Sequence, residues 1–136
     1  MLFNKTLNPH FITGMAELGG SFTYSQSRGG VTMYFALKSY SSDLSLLLKV
    51  QDFFKAGKIY KGGKGKDTWV YYRVNKLGEL IGVVRHFEQY PLIGAKQHIF
   101  EIWKEMIICK RRKLAKDKDR LQSLALRLSK KTGKLY

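Results

Sequence analysis

The sequence predicts an α+β domain built around a four-stranded antiparallel sheet. Two pairs of segments alternate polar and apolar residues with a period of two, which is the pattern of hairpin strands that bury one face. Segments with apolar residues at helical spacing lie before, between and after these pairs. The predicted order is therefore helix, hairpin, helix, hairpin, helix, helix, with helices on one face of the sheet and the other face open.

The first helix is expected to begin at Pro9, with Asn8 as its N-cap, and to end at the glycine pair Gly19 and Gly20. A hairpin follows, and its turn lies at Ser27–Gly30. The strand after this turn alternates more strongly than the strand before it. Its inward-facing residues are expected to be Val31, Met33, Phe35 and Leu37.

A second helix is predicted over Ser41–Phe54, where serines and an aspartate precede a leucine-rich periodic segment. The second hairpin has predicted strands at Gly57–Lys61 and Thr68–Val74. The loop between them, Gly62–Asp67, is rich in glycine and lysine but lacks the G-x-x-x-x-G-K-[ST] pattern of a phosphate cradle. It is interpreted as a hairpin tip whose lysines contact a phosphate backbone.

Two further helices are predicted after Asn75, the first ending before Pro91 and the second spanning roughly Ala95–Cys109. We divide the chain after this helix, into a sheet-containing domain at residues 1–109 and a basic C-terminal helix and tail at residues 110–136. The tail holds eleven of the 25 Lys and Arg residues and only two acidic residues. Its leucines at helical spacing predict a last helix packed on the body.

The composition points to a polyanionic partner. The formal net charge of +15, from 25 Lys and Arg against 10 Asp and Glu, exceeds what solubility requires. We expect nucleic acid, because a membrane-surface protein usually carries a basic helix backed by a strongly apolar face. No membrane span or secretory signal is predicted. The single cysteine, Cys109, excludes an intramolecular disulfide and a cysteine zinc site, and it favours a reducing compartment.

The outward-facing residues of both hairpins combine hydroxyls, cations and aromatic rings, a set suited to phosphates, groove edges and stacked bases. The alternative is that a helix or a partner covers Trp69 and Tyr71, since alternation alone does not say which face is covered. With the turns and basic helix ends added, the predicted nucleic-acid-binding residues are Ser21, Thr23, Ser25, Ser27, Arg28, Tyr34, Lys38, Lys58, Tyr60, Lys64, Lys66, Trp69, Tyr71, Arg73, Lys96, Lys110, Arg111, Arg112 and Lys113.

The histidines do not indicate a metal site. His10, His86 and His98 lack the spacing of metal ligands and are interpreted as helix-surface or buried structural residues. No spacing pairs a nucleophile with a base. Neither a metal nor a catalytic residue is therefore predicted from these patterns.

Several segments, taken in order, carry a resemblance to a known family. They are LNPHFITGMAELGGSF (Leu7–Phe22), LLLKVQDFFKAGKIY (Leu46–Tyr60), YYRV (Tyr71–Val74) and LIGVVRHFEQYPLIGAKQHIFEIWKEMI (Leu80–Ile107). Together they resemble the single-motif LAGLIDADG homing endonucleases of mitochondria and chloroplasts. The resemblance implies an αββαββα fold, a saddle-shaped sheet laid in a DNA major groove, and a homodimer in which the two motif helices pack on each other.

In this family an acidic residue at the foot of each motif helix binds the divalent metals that drive phosphodiester hydrolysis. The resemblance places that acid at Gly19, which has no side chain to offer. Glu17 is turned by about 200° around the helix and replaces it only if the last turn unwinds. The resemblance also assigns a supporting basic residue to Lys96 and a polar residue at the end of the second strand to Ser39. Glycine is further expected to form a left-handed C-cap.

Three functional hypotheses follow. The first is a catalytically inactive nucleic-acid-binding protein without a cofactor, which prefers the structured RNA of an organellar ribosome or intron maturase complex because its basic tail follows RNA phosphates. The second is a homodimeric endonuclease that cuts DNA with Mg²⁺ and Glu17 or a shifted acid. The third is a protein-interaction module. The mitochondrial matrix is the expected location, ahead of the chloroplast.

Overall fold

The structure is a computed structural model, and it describes residues 6–113 and 117–133. Helices and strands follow one another in the predicted order. They are α1 (Pro9–Gly19), β1 (Gly20–Ser27), β2 (Gly30–Tyr40), α2 (Leu44–Phe54), β3 (Lys58–Lys64), β4 (Asp67–Val74), α3 (Leu77–Gln89), α4 (Lys96–Arg112) and α5 (Asp117–Thr132). Within these described residues, no helix is both long and apolar enough to cross a membrane.

The strands form one antiparallel sheet in the order β1-β2-β4-β3. Each hairpin is a pair of neighbours, and β2 joins the two hairpins by pairing with β4. Leu37 lies opposite Gly20 on one side and opposite Tyr72 on the other, so the end of α1 meets the middle of the sheet. The predicted α+β class and αββαββα order are confirmed, and α4 and α5 extend this unit.

The inward face of the sheet and the helices enclose an aromatic core. Phe22 lies within 5.0 to 5.4 Å of the ring centroids of Phe35, Phe87, Phe100 and Trp103. These rings come from two strands and two helices, and all five are buried. Each fully buried Phe contributes about 2–3 kcal/mol of hydrophobic stabilisation. This cluster holds the helices against the sheet and leaves the opposite face uncovered.

α1 is capped as predicted and fastened to α3. Asn8 Oδ1 accepts a hydrogen bond from the His10 amide at 2.8 Å, at the start of the helix. Further along, the Thr13 hydroxyl donates to the Tyr90 carbonyl at 2.8 Å. Since that hydroxyl has one proton, His86 Nε2 is the donor in its 3.1 Å bond to Thr13. The bond therefore places a proton on Nε2 of His86.

α5 packs on α4 and on the first hairpin, so this part of the basic tail belongs to the fold. The buried Tyr24 of β1 bonds Ser129 of α5 at 2.5 Å. Ser129 donates its own proton to a backbone carbonyl of α5 at 3.0 Å, so Tyr24 is the donor. Arg112 pairs with the buried Asp117 at 2.8 Å across the α4–α5 junction. α4 itself continues to Arg112, past the division we made after Cys109.

The second hairpin is longer than the sequence predicts. β3 continues through Gly62 and Gly63 to Lys64, and β4 begins at Asp67, so a short turn replaces the predicted loop. Gly63 has a φ of +91°, and a Cβ there would lie 2.0 Å from the Asp67 carbonyl oxygen. Only glycine fits this position. Periodicity does not predict this extension of β3, because glycines and lysines show no alternation of polar and apolar residues.

Acidification is expected to destabilise the fold through His86. Burial lowers the pKa of His86 to about 4, and His10 adds to the shift, whereas in the unfolded chain it titrates near about 6.5. The unfolded state therefore binds more protons between these values, and the free energy of unfolding falls as the pH drops through this window. The loss from this group reaches about 2–3 kcal/mol near pH 4.

Urea denaturation across this pH window measures the effect. His86→Gln removes the titrating group and flattens this part of the profile, whereas His98→Gln, on the exposed side of α4, keeps the wild-type slope. Equal slopes for the wild type and His86→Gln would contradict the assignment.

Candidate nucleic-acid interface

The face of the sheet turned away from the helices is open, and we call it the open face. Trp69 and Tyr71 lie on it, because they alternate along β4 with the buried Val70 and Tyr72. The alternative that a helix of this domain covers them is therefore wrong. All the predicted outward-facing strand residues lie on this face, exposed or half-buried: Ser21, Thr23, Ser25, Ser27, Tyr34, Lys38, Lys58, Tyr60, Trp69, Tyr71 and Arg73. Lys64, a residue of the predicted loop, ends β3 on the same face.

A stacked cation lies near the centre of the open face. The guanidinium carbon of Arg73 is 3.7 Å from the ring centroid of Tyr34, a cation–π contact that orients the planar group. Arg73 Nε is buried without a hydrogen-bond partner among the described residues. Burial and the neighbouring Tyr34 raise the pKa of Tyr71. The Tyr71 hydroxyl therefore stays protonated and able to donate.

An aromatic platform formed by Trp69 lies beside this cation. A Cβ at Gly62 would lie 2.2 Å from the indole, so glycine leaves the space that the ring occupies. The Lys38 ammonium is 5.0 Å from the centroid of the same ring. Tyr60 and Tyr71 form a second ring pair, with centroids 6.3 Å apart. Rings with cations beside them accommodate bases and phosphates together.

The sheet carries almost no negative charge. Among the residues of the four strands, Asp67 is the one acid, and it lies at the tip of the second hairpin. Arg28 and Lys66 are exposed in the two hairpin turns. Cations are therefore spread from the turns to the centre of the sheet, and the open face presents a positive potential.

The cations at the end of α4 are not gathered into one surface. Lys110 Nζ donates to the Val31 carbonyl at 2.9 Å, and Arg112 is paired with the start of α5. Arg111 lines a groove between α3 and α4, away from the open face. Lys113 is exposed just after the helix. Two of these four predicted binding residues thus have structural partners.

Gly19, the position of the family's metal-binding acid, is the exposed last residue of α1. A Cβ there would meet no atom within 4 Å, so a carboxylate side chain has room and crowding does not explain the glycine. The expected left-handed cap is wrong, since Gly20 is extended with φ −92° and ψ 156°. Gly20 is required by packing instead: its Cβ would lie 2.8 Å from Ala16 Cα.

Glu17 is held by backbone donors and does not point to the place of the missing acid. Its Oε2 accepts from the Ile93 amide at 2.6 Å and from the Gly94 amide at 3.0 Å. These amides precede α4, so the carboxylate joins α1 to the start of that helix. Releasing it for another task would leave both amides without this partner.

Lys96 closes the C-terminal end of α1. Its ammonium donates to the Ala16 carbonyl at 3.0 Å and to the Gly20 carbonyl at 2.6 Å. Burial lowers the pKa of Lys96, while the Glu17 carboxylate opposes that shift. A cation at this end of a helix complements the helix dipole.

The residues at the foot of α1 do not fit a divalent metal. Gly19 has no ligand atom, Glu17 is occupied by two amides, and an ammonium lies at the helix end. Over residues 6–113 and 117–133, no group of three or more His, Cys, Asp or Glu could hold a metal ion. Ser39 pairs across the sheet with the buried Val70 and donates to Asp43 on the covered side. It therefore lies apart from the open face.

A cleft of about 520 Å³ adjoins Gly20, and we call it the Gly20 cleft. It is lined by Gly20, Ser21, Phe22, Thr23, Tyr34, Lys96, Ile99, Lys131 and Thr132. Lys131, near the end of α5, is the charged residue that sequence reasoning missed. No local signal marks it, because α5 and β1 are distant along the chain and meet only through packing.

Comparisons with known proteins agree with this geometry. Residues 12–107 match the family model described as LAGLIDADG endonuclease. The "Uncharacterized 50.9 kDa protein in ND4 intron 1" of Podospora anserina is 32% identical over 126 residues, which cover 86% of this chain and 26% of that protein. "Probable intron-encoded endonuclease 3" of Neurospora crassa is 29% identical over 107 residues, 74% of this chain and 20% of that protein. The chain thus spans about a quarter or less of these relatives.

Solved structures show the same architecture. The LAGLIDADG meganuclease I-AabMI, bound to uncleaved DNA, superimposes with a TM-score of 0.78 and 29% identity over 88% of this chain and 44% of that one. The homing endonuclease I-TnaI matches with a TM-score of 0.80 and 22% identity over 95% of this chain and 98% of that one, a likeness of fold. The family match covers well over half of the chain, and the chain belongs to the LAGLIDADG endonuclease family.

Proposed function

We propose that this chain binds duplex DNA across its open face and does not hydrolyse the backbone at the foot of α1. The observation that carries the proposal is the stacked and charged array on an uncovered sheet, with Arg73 against Tyr34 and Lys38 beside Trp69. Cations of this kind contact phosphates, and arginine reads guanine edges in the major groove. A β-ribbon fits that groove.

For the open face we prefer DNA as the ligand to the structured RNA that the net charge and the basic tail favoured. The related I-AabMI and the similarly folded I-Vdi141I were both solved with DNA. The basic tail was the argument for RNA, yet Lys110 and Arg112 are engaged within the fold. A ribosomal or maturase role on RNA is therefore ranked second, and the binding experiment below compares both ligands.

Three features support the absence of hydrolytic activity at the foot of α1. Gly19 supplies no carboxylate, and Glu17 already accepts two backbone hydrogen bonds. The Lys96 ammonium would repel a divalent cation placed at the same helix end. Metal-assisted hydrolysis requires ligands that this arrangement does not offer. No cofactor is proposed.

We propose that a second copy of this chain packs on the uncovered face of α1 and forms a homodimer. Leu18 is 93% exposed, Phe11 is 48% exposed, and the adjacent Ile93 is 95% exposed. Gly14 lies on the same helix and is open, with no atom within 4 Å of its Cβ position. Such an apolar patch on one helix indicates a partner surface.

The mitochondrial matrix is the location that we propose. Both fungal relatives named above are described as proteins of introns or as intron-encoded, which supports an origin in an intron-bearing genome.

Removing the central cation is expected to weaken DNA binding. Arg73→Met keeps the side-chain length but loses the charge, and it should lower the affinity for a labelled random-sequence duplex about tenfold. The slope of log K against log salt should fall by about 0.9. Lys49→Met, at an exposed position on α2, is the matched control and should change neither quantity. Fluorescence anisotropy at several salt concentrations measures both.

Equal losses for Arg73→Met and Lys49→Met would contradict the open face as the interface. A structured RNA of the same length serves as the second ligand. If the wild type binds that RNA more tightly than DNA at equal salt, and Arg73→Met weakens this binding, then RNA and not DNA is the ligand of the open face. A flat salt profile for both ligands would favour the protein-interaction hypothesis.

The wild-type chain is expected to leave bound DNA intact in Mg²⁺. Duplexes selected from a randomised library by binding are the substrate, and gel analysis detects nicks and breaks. Lys96→Ala and Glu17→Gln are the comparison variants. Cleavage by the wild type that Glu17→Gln abolishes would instead establish the metal-dependent endonuclease alternative.

Dimer formation is expected to depend on Leu18. The wild type should sediment as a dimer, and Leu18→Glu as a monomer, because a buried carboxylate at an apolar interface is costly. Leu126→Glu, at a residue that is 57% exposed on α5, is the control and should remain dimeric. Analytical ultracentrifugation measures the masses. A Leu18→Glu dimer as stable as the wild type would exclude this surface.

A further inference from the structure

The Gly20 cleft has the charge of an anion site rather than of a metal site. No acidic residue lines it, and its charged residues are Lys96 and Lys131. The cleft is therefore positive, and Gly19, the position of the family's metal-binding acid, directly precedes its lining residue Gly20. A negative side chain at Gly19 would reduce the positive potential of the cleft, and glycine contributes no such charge.

The two lysines contribute in different ways. Lys96 uses two of its three N–H groups on the Ala16 and Gly20 carbonyls, so its ammonium is held in place with one donor left. Lys131 is exposed near the end of α5, and none of the ion pairs within residues 6–113 and 117–133 involves it. Ser21 adds an exposed hydroxyl on the same wall. The Thr132 hydroxyl is engaged with the Leu128 carbonyl at 2.9 Å.

The cleft is continuous with the open face. Tyr34 lines the cleft and also stacks on Arg73, at 3.7 Å from ring centroid to guanidinium carbon. Ser21 and Thr23 belong to both surfaces through β1. A ligand lying along the open face therefore reaches the cleft without leaving the sheet, and on DNA the anionic group that recurs along such a path is the phosphodiester.

We propose that the Gly20 cleft binds one phosphodiester group of the DNA backbone directly, with Lys131 and Lys96 taking the place of a metal ion. The proposal rests on DNA binding by the open face. Lys131 lies outside the residues 12–107 that match the family model, so its contribution comes from α5 of this chain. Contact through ammonium groups neutralises a phosphate without activating water, which agrees with a surface that binds and does not cut.

Lys131→Gln tests the proposal, with Lys130→Gln as its matched control. Lys130 is the preceding exposed residue of α5 and does not line the cleft. With a labelled random-sequence duplex, Lys131→Gln should lower the affinity roughly fourfold and reduce the salt slope by about 0.9. Lys130→Gln should change neither, and circular dichroism checks that both variants fold.

Metal dependence gives a second readout. At equal ionic strength, the wild type should bind the duplex equally well in EDTA and in Mg²⁺. Gly19→Asp has room for its side chain and should weaken binding in EDTA, because the carboxylate repels the phosphate.

The outcomes separate this inference from the proposed function. If Arg73→Met weakens binding while Lys131→Gln matches Lys130→Gln, the cleft proposal fails and DNA binding stands. If wild-type binding requires Mg²⁺, the cleft proposal also fails. If neither Arg73→Met nor Lys131→Gln affects binding, the open face is not the interface and both proposals fail.

Discussion

Two charged side chains, Lys96 and Glu17, fix the end of α1, and their contacts organise the molecule. Lys96 donates to the carbonyl of Ala16 in α1 and to the carbonyl of Gly20, the first residue of β1. Glu17, the residue after Ala16, accepts hydrogen bonds from the Ile93 and Gly94 amides, which precede α4. The end of α1 and the start of α4 are therefore fastened together, and β1 begins directly at Gly20, opposite Leu37 of β2.

This fastening also limits what the site does chemically. The carboxylate and the ammonium that hydrolysis would recruit are both engaged in holding the helix end, and Gly19 adds no ligand. With its inner side fixed by Thr13 to the end of α3, α1 leaves the apolar Phe11 and Leu18 exposed on its outer side. The contacts that fix the helix end thus also engage the Glu17 carboxylate.

Several side chains of the open face are held in place by contacts within the protein itself. Arg73 is oriented by the Tyr34 ring, and Trp69 occupies the space left by Gly62. A group held in its binding geometry loses little conformational freedom on association. This preorganisation supports the duplex DNA ligand that we propose.

The sequence by itself determined the elements, the face to which each strand residue points, and the absence of a carboxylate at Gly19. These follow from local periodicity, because side chains alternate along a strand and repeat every 3.6 residues along a helix. The extension of β3 escaped this reasoning, since Gly63 is set by its clash with the facing strand. Tertiary structure alone decided the partners of Glu17 and Lys96 and brought Lys131 beside β1. Those contacts join residues far apart in the chain, and packing of the whole core sets their geometry.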